Sequence, residues 1–220
     1  MNIEYQLKRR TAFIRYFYNN AVIPFESIIS LIEKEKEPYI PPYSEDPEPA
    51  FLNEWIESQT GIEAIGHTCI SMLTSSLNLF LKSWVDRLEK KDRMKFKFNS
   101  KKGWFNGYIA IFKQLELPLS KCDADLEIIE QIILSRNRIQ HPEKIWDLTI
   151  QHSKKDLKKF PNPFFIQKDE LVNKKIEDDG NLTWWFPPSI KTSKGKIFKA
   201  IDQVEALCSW LENQYWMGGK

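Results

Sequence analysis

At 220 residues the chain is long enough for one large domain or two small ones with a sizeable core. Its residues are 42% hydrophobic and 28% charged, as in an ordinary soluble globular protein, and Lys, Glu or Asp interrupts every apolar stretch, which argues against a membrane span. The net charge of +2 is too small to indicate nucleic-acid binding by itself.

Cysteine usage and the N-terminus predict a cytoplasmic protein, and no glycine pattern or histidine spacing predicts a cofactor. The N-terminus, MNIEYQLKRR, lacks the apolar stretch of a secretory signal. The three cysteines are an odd number in apolar contexts, which favours buried free thiols over disulfides. His67, His141 and His152 are scattered and form no zinc-binding spacing, and His152 lies among lysines, which predicts a solvated side chain.

In chain order, the first predicted element is a helix over about 4–35, broken near Pro24 because proline cannot donate a helical hydrogen bond. A segment with five prolines then predicts an extended connector. From 51 to about 90 the apolar residues recur at helical spacing, which indicates a long helix at the centre of a bundle.

The second half of the chain predicts two further helices, and the helical spacing of apolar residues then stops near residue 150. They cover 103–115 and about 124–140, with Ser120 and Asp123 as candidate N-caps of the second and Pro142 as its stop. In the 150–194 insertion, residues 164–167 and 182–186 form a candidate hairpin, and helical periodicity returns over 195–216. We therefore expect a single all-α domain, a bundle of about five helices, with an irregular or small β-hairpin insertion before the last helix.

One hexad at the end of the 124–140 helix carries the chemistry, namely Arg136-Asn137-Arg138-Ile139-Gln140-His141, followed by Pro142. RNA can be cleaved without a metal when its 2′-oxygen attacks the neighbouring phosphorus and expels the 5′-oxygen. Histidine can move the protons at neutral pH, and an arginine fork can neutralise the charge of the transition state. Asn137 can bind phosphate or orient the imidazole, and Glu143 either orients His141 or is simply exposed.

The spacing requires the helix to end at the histidine. On a continuous helix Arg136 and His141 would point about 140° apart, with about 7.5 Å of rise between them. Because Pro142 stops the helix, we expect His141 to fold back towards Arg136. The structural alternative places Arg136 in a surface ion pair and makes His141 a helix C-cap.

These residues resemble the signature of the HEPN superfamily, in which Arg, a polar residue that is often Asn, and a following His form the motif. The resemblance covers about 51–148, and the 195–216 helix is compatible with it. It implies a metal-independent endoribonuclease, in some members a toxin or defence protein, with Arg136 and His141 catalytic and Asn137 supporting. Other members act as non-catalytic binding or regulatory modules, and toxin members often pair with a nucleotidyltransferase antitoxin.

A symmetric homodimer follows from the count of histidines. One hexad supplies one histidine, whereas acid–base cleavage is better served by two, and a two-fold axis at the helix end would supply them. RNA is the expected partner. The basic segment 90–102 and the hexad offer Lys95, Lys97, Lys101, Lys102 and Arg138 as contacts to its backbone, although a solvated loop between two helices explains the lysines better.

Overall fold

Helices dominate the computed structural model, which describes residues 2–43, 45, 47–93, 95–99, 101, 103–142, 149–167, 170, 174–176, 182–184 and 187–217. The all-α expectation is confirmed. Within that part of the chain there are seven α-helices, α1 (Ile3–Ala21), α2 (Ile23–Glu33), α3 (Leu52–Asp92), α4 (Trp104–Gln114), α5 (Leu126–Gln140), α6 (Lys154–Lys159) and α7 (Lys194–Met217).

The count exceeds the predicted five for two reasons. The first predicted helix is two helices, and Pro24 lies in the first turn of α2. N–H groups in the first turn have no acceptor within the helix, so proline costs no hydrogen bond there. The second reason is α6, which arises in a basic segment predicted to be irregular. Ser153 caps it by accepting a hydrogen bond from the Asp156 amide at 3.0 Å, and Leu157 is buried beneath it.

Helix α3 forms the centre of the bundle, with α1, α2, α5 and α7 packed around it. At 1.5 Å per residue its 41 residues extend about 60 Å. Trp84 is 1% exposed, and its indole N–H donates to the Leu211 carbonyl of α7 at 3.0 Å. This hydrogen bond joins the first half of the chain to its last helix.

By length and composition alone, Leu52–Lys91 of α3 could cross a membrane; half of its most apolar window is buried inside the protein. The buried residues face the surrounding helices, as in the core helix of a soluble protein. The fold is therefore compatible with a soluble protein.

Helix α5 begins later than predicted. Its N-cap is Asp125, whose carboxylate accepts hydrogen bonds from the amides of Glu127 at 2.9 Å and Ile128 at 3.1 Å. Ser120 instead lies inside a 3-10 turn, Leu119–Lys121, and Asp123 falls two residues before the cap. Both candidate caps are wrong, because the 3-10 turn contains Ser120 and the helix begins only after Asp125.

The insertion contains a two-stranded antiparallel ladder, but not the predicted pairing. Strand β1 (Lys174–Ile176) pairs with β2 (Leu182–Trp184), and residues 164–167 form no strand. Phe165 is fully buried, and its carbonyl accepts from the Lys191 amide at 3.2 Å and from a histidine ring. Tertiary contacts thus supply the hydrogen bonds of the Phe165 carbonyl that a strand partner would otherwise make. Residues 185 and 186 of the predicted second strand lie outside the described residues.

Candidate functional site

The C-terminal end of α5 carries the hexad, and the helix stops where the sequence predicts. His141 is the C-cap, with φ −130° and ψ 65°, and its amide donates to the Asn137 carbonyl at 3.1 Å. The His141 side chain is exposed and makes no hydrogen bond to another described residue. A solvent-accessible imidazole therefore lies at the end of the helix.

Arg136 and Arg138 point to opposite sides of α5, because side chains at positions i and i+2 of a helix are about 200° apart around its axis. Arg136 continues the face of Ile129, Ile132 and Ile133, all three of which are buried. Its Nη1 donates to Asn137 Oδ1 at 3.1 Å, and its Nε is buried without a hydrogen-bond partner.

No described carboxylate forms an ion pair with Arg136, so the expectation of a surface ion pair is not met in that part of the chain. Arg138 differs in this respect. Its Nε lies 3.4 Å from Asp156 Oδ2 of α6, and the side chains are 30% and 14% exposed. Arg138 therefore has its charge compensated by Asp156, whereas Arg136 has no such partner in the described part of the chain.

A cavity of about 460 Å³ opens beside the end of α5, between this helix and the segment that leads into α6. Its polar lining includes Arg138, His141, His152, Lys154 and Lys155. Arg136 and Asn137 do not line it. In a single chain His141 thus shares the cavity with Arg138, and the approach of His141 to Arg136 stays a prediction.

His152 is buried, contrary to the prediction that its neighbouring lysines would keep it solvated. Its side chain is 7% exposed, and its Nε2 lies 2.9 Å from the Phe165 carbonyl. The reason is long-range, since the amide of His152 donates to the Pro188 carbonyl at 3.0 Å and Gln151 forms a bridge with Ser189. These contacts press the segment against a loop far away in sequence, and no local pattern could have revealed them.

Burial lowers the pKa of His152, because desolvation penalises the imidazolium; Lys196 acts in the same direction. The Phe165 carbonyl, Asp156 and Glu170 oppose this shift. The neutral ring is therefore favoured near neutral pH.

The described lysines of the basic segment between α3 and α4 do not line this cavity. Lys95, Lys97 and Lys101 are exposed, but none of them lines it, and Lys102 and Glu143 lie outside the described residues. The lysines of the cavity are Lys154 and Lys155, which sequence reasoning missed. Their signal was present as a basic run, HSKKDLKK, but its position beside the hexad depends on the tertiary fold.

The remaining reactive groups are in structural positions. Cys69 and Cys208 are buried and Cys122 is partly buried, all as free thiols. Burial raises the pKa of Cys69 to about 12, so its thiol stays protonated and unreactive. Among the described residues no three His, Cys, Asp or Glu side chains are grouped so that they could hold a metal ion.

Comparisons with known proteins add no identification at this point. No family model, no curated protein and no solved structure matches the chain.

Proposed function

We propose that the protein is a metal-independent endoribonuclease that cleaves RNA by attack of the 2′-oxygen at the C-terminal end of α5. The observation that carries this proposal is His141, an exposed imidazole without a hydrogen-bond partner among the described residues, at the edge of a cavity with a basic lining. A histidine in this position can transfer protons to or from an RNA linkage at neutral pH.

The cations around the cavity suit the RNA backbone. Arg138, Lys154 and Lys155 line it, and phosphates are bound chiefly through such side chains. Asp156 compensates part of this charge by pairing with Arg138. Arg138 therefore binds the substrate. Stabilising the negative charge of the transition state requires a cation that no carboxylate already compensates.

Arg136 is that cation in this proposal. Its guanidinium has no ion-pair partner among the described residues, and Asn137 braces one of its nitrogens. Because Arg136 does not line the cavity of its own chain, it reaches a scissile phosphate from a second chain. A symmetric homodimer with the ends of two α5 helices side by side supplies this arrangement.

The primary experiment is cleavage of labelled RNA by the purified protein in the presence of EDTA. Wild-type protein should leave a 2′,3′-cyclic phosphate, and both His141→Ala and Arg136→Ala should lower the rate at least about 100-fold. Sedimentation should show a dimer. Cleavage that persists undiminished in both variants, or no cleavage of any RNA, would refute the proposed activity.

A non-catalytic RNA-binding or regulatory module is the second candidate. It is favoured by the separation of Arg136 from the cavity, since a basic cavity binds phosphates whether or not it cuts them. This function predicts RNA binding that weakens in His141→Ala and Arg138→Ala while the RNA stays intact. Growth arrest on expression, relieved by His141→Ala, would instead support a ribonuclease toxin, and a nucleotidyltransferase antitoxin would then be sought by co-purification.

A further inference from the structure

The cavity at the end of α5 contains two imidazoles from the same chain. His141 enters it from the helix terminus, and His152 enters it from the segment before α6. The sequence argument for a dimer counted one histidine per subunit. The second histidine removes the need to take a proton-transfer group from the other chain.

The Phe165 carbonyl determines the tautomer of His152. A carbonyl oxygen only accepts hydrogen bonds, so the Nε2 atom 2.9 Å away must carry the proton. In the neutral ring the lone pair then resides on Nδ1. That atom makes no hydrogen bond to another described residue. The arrangement is that of a general base whose orientation is fixed by a third group.

We propose that His152 is the general base and His141 the general acid of RNA cleavage, both in one chain. This inference rests on the proposed ribonuclease function. Nδ1 of His152 takes the proton of the 2′-hydroxyl, and the 2′-oxygen forms a bond to phosphorus. The bond from phosphorus to the 5′-oxygen breaks, and His141 protonates that oxygen. The products are a 2′,3′-cyclic phosphate and a 5′-hydroxyl, and proton exchange with water restores both rings.

The charges around His152 keep it in the state that this role requires. Desolvation and Lys196 of α7 lower its pKa, while Asp156 of α6, Glu170 and the Phe165 carbonyl raise it. Since the net shift lowers the pKa of His152 from the ordinary value of 6.5, the unprotonated ring is favoured at neutral pH. A base must be unprotonated to act, so the acidic decline in activity that His152 causes should lie below pH 6.5.

The chain offers a matched control in His67. This ring is also largely buried, its Nε2 lies 3.2 Å from the Ile190 carbonyl, and burial lowers its pKa. It does not line the cavity. Replacement of either histidine by glutamine removes an imidazole and retains an N–H donor for the carbonyl, so the two variants differ in whether the lost ring lines the cavity.

The first test measures single-turnover cleavage and its pH profile. His152→Gln should lower the rate about 10²- to 10⁴-fold and abolish the decline at acidic pH, whereas His67→Gln should match the wild type. A substrate with a 5′-bridging sulfur, which leaves without protonation, should restore cleavage by His141→Ala but not by His152→Gln. Equal rates in the two glutamine variants would overturn the assignment of His152 and leave the ribonuclease function standing.

The second test asks whether the two histidines belong to one site in one chain. A mixture of His141→Ala and His152→Gln proteins should stay inactive, because each chain then lacks one member of its own pair. Recovery of about a quarter of the activity would mean that the pair forms across the dimer, and it would refute the inference.

If His152→Gln does not fold, the same question can be put to the wild-type protein. Titration with an uncleavable 2′-deoxy dinucleotide should shift the NMR signals of both His141 and His152, whereas the signal of His67 should stay in place. An unshifted His152 would exclude it from the site. A wild-type protein that cleaves no RNA would defeat the ribonuclease function itself and this inference with it.

Discussion

Arg136 and Arg138 provide a direct test of how the site is built, because two identical side chains lie two residues apart on α5 in different electrostatic settings. Arg136 has no carboxylate partner among the described residues, whereas Arg138 pairs with Asp156 at 3.4 Å. Replacing each with alanine removes the same group. The proposed mechanism predicts different kinetic results.

Arg136→Ala should lower kcat about 100- to 1000-fold, since one lost transition-state donor costs about 2.7–4 kcal/mol. Arg138→Ala should act mainly on KM. The Arg138 side chain is 30% exposed, and the loss of one partly exposed ionic contact to a phosphate costs about 1 kcal/mol, equivalent to a fivefold weakening of RNA binding. It should also reduce the dependence of log K on log salt by about 0.7, the slope of one phosphate contact to single-stranded RNA.

The assay is steady-state cleavage at several salt concentrations, with thermal melting of each variant as the control for folding. Arg138→Ala leaves Asp156 without this partner, so a loss of about 2–4 °C is expected from about 1 kcal/mol. The reasoning is refuted if Arg138→Ala loses kcat and Arg136→Ala does not. In that case the cation of the transition state would belong to the cavity of a single chain.

Two predictions concern stability. Arg87→Ala should cost about 3 kcal/mol, because it leaves the Glu212 carboxylate, which is 6% exposed, without this partner. Arg15→Ala should cost at most about 1 kcal/mol, because its partners Asp202 and Glu205 are 62% and 28% exposed and stay hydrated. Both arginines bind α7 and stack on an aromatic ring, so equal losses in urea unfolding would mean that burial of the carboxylate is not the cause. Burial lowers the folded-state pKa of His67, so its contribution to stability should be complete above pH 6.5 and should decline as the pH falls through the folded-state pKa. Melting temperatures measured across this range should fall less steeply in His67→Gln, and parallel curves would contradict the prediction.

Local rules accounted for most of the helices. The apolar spacing of the long central segment predicted α3, and the prolines predicted both the break before α2 and the end of α5. These features depend on residues within a few positions of each other. Three predictions failed, namely the cap of α5, the strand at 164–167 and the solvated His152. In each case a turn or a partner distant in sequence bound the groups concerned.

The sequence by itself determined that α5 ends at His141 and that an arginine, an amide and an imidazole stand at that end. Only the tertiary structure decided which side chains share the cavity. It selected Arg138 in place of Arg136, and it brought in His152 and two lysines from the next segment. The physical reason is that a helix stop depends on backbone chemistry within one turn. The lining of a cavity depends instead on how separate segments pack, and here it depends on a loop held by residues 188–191.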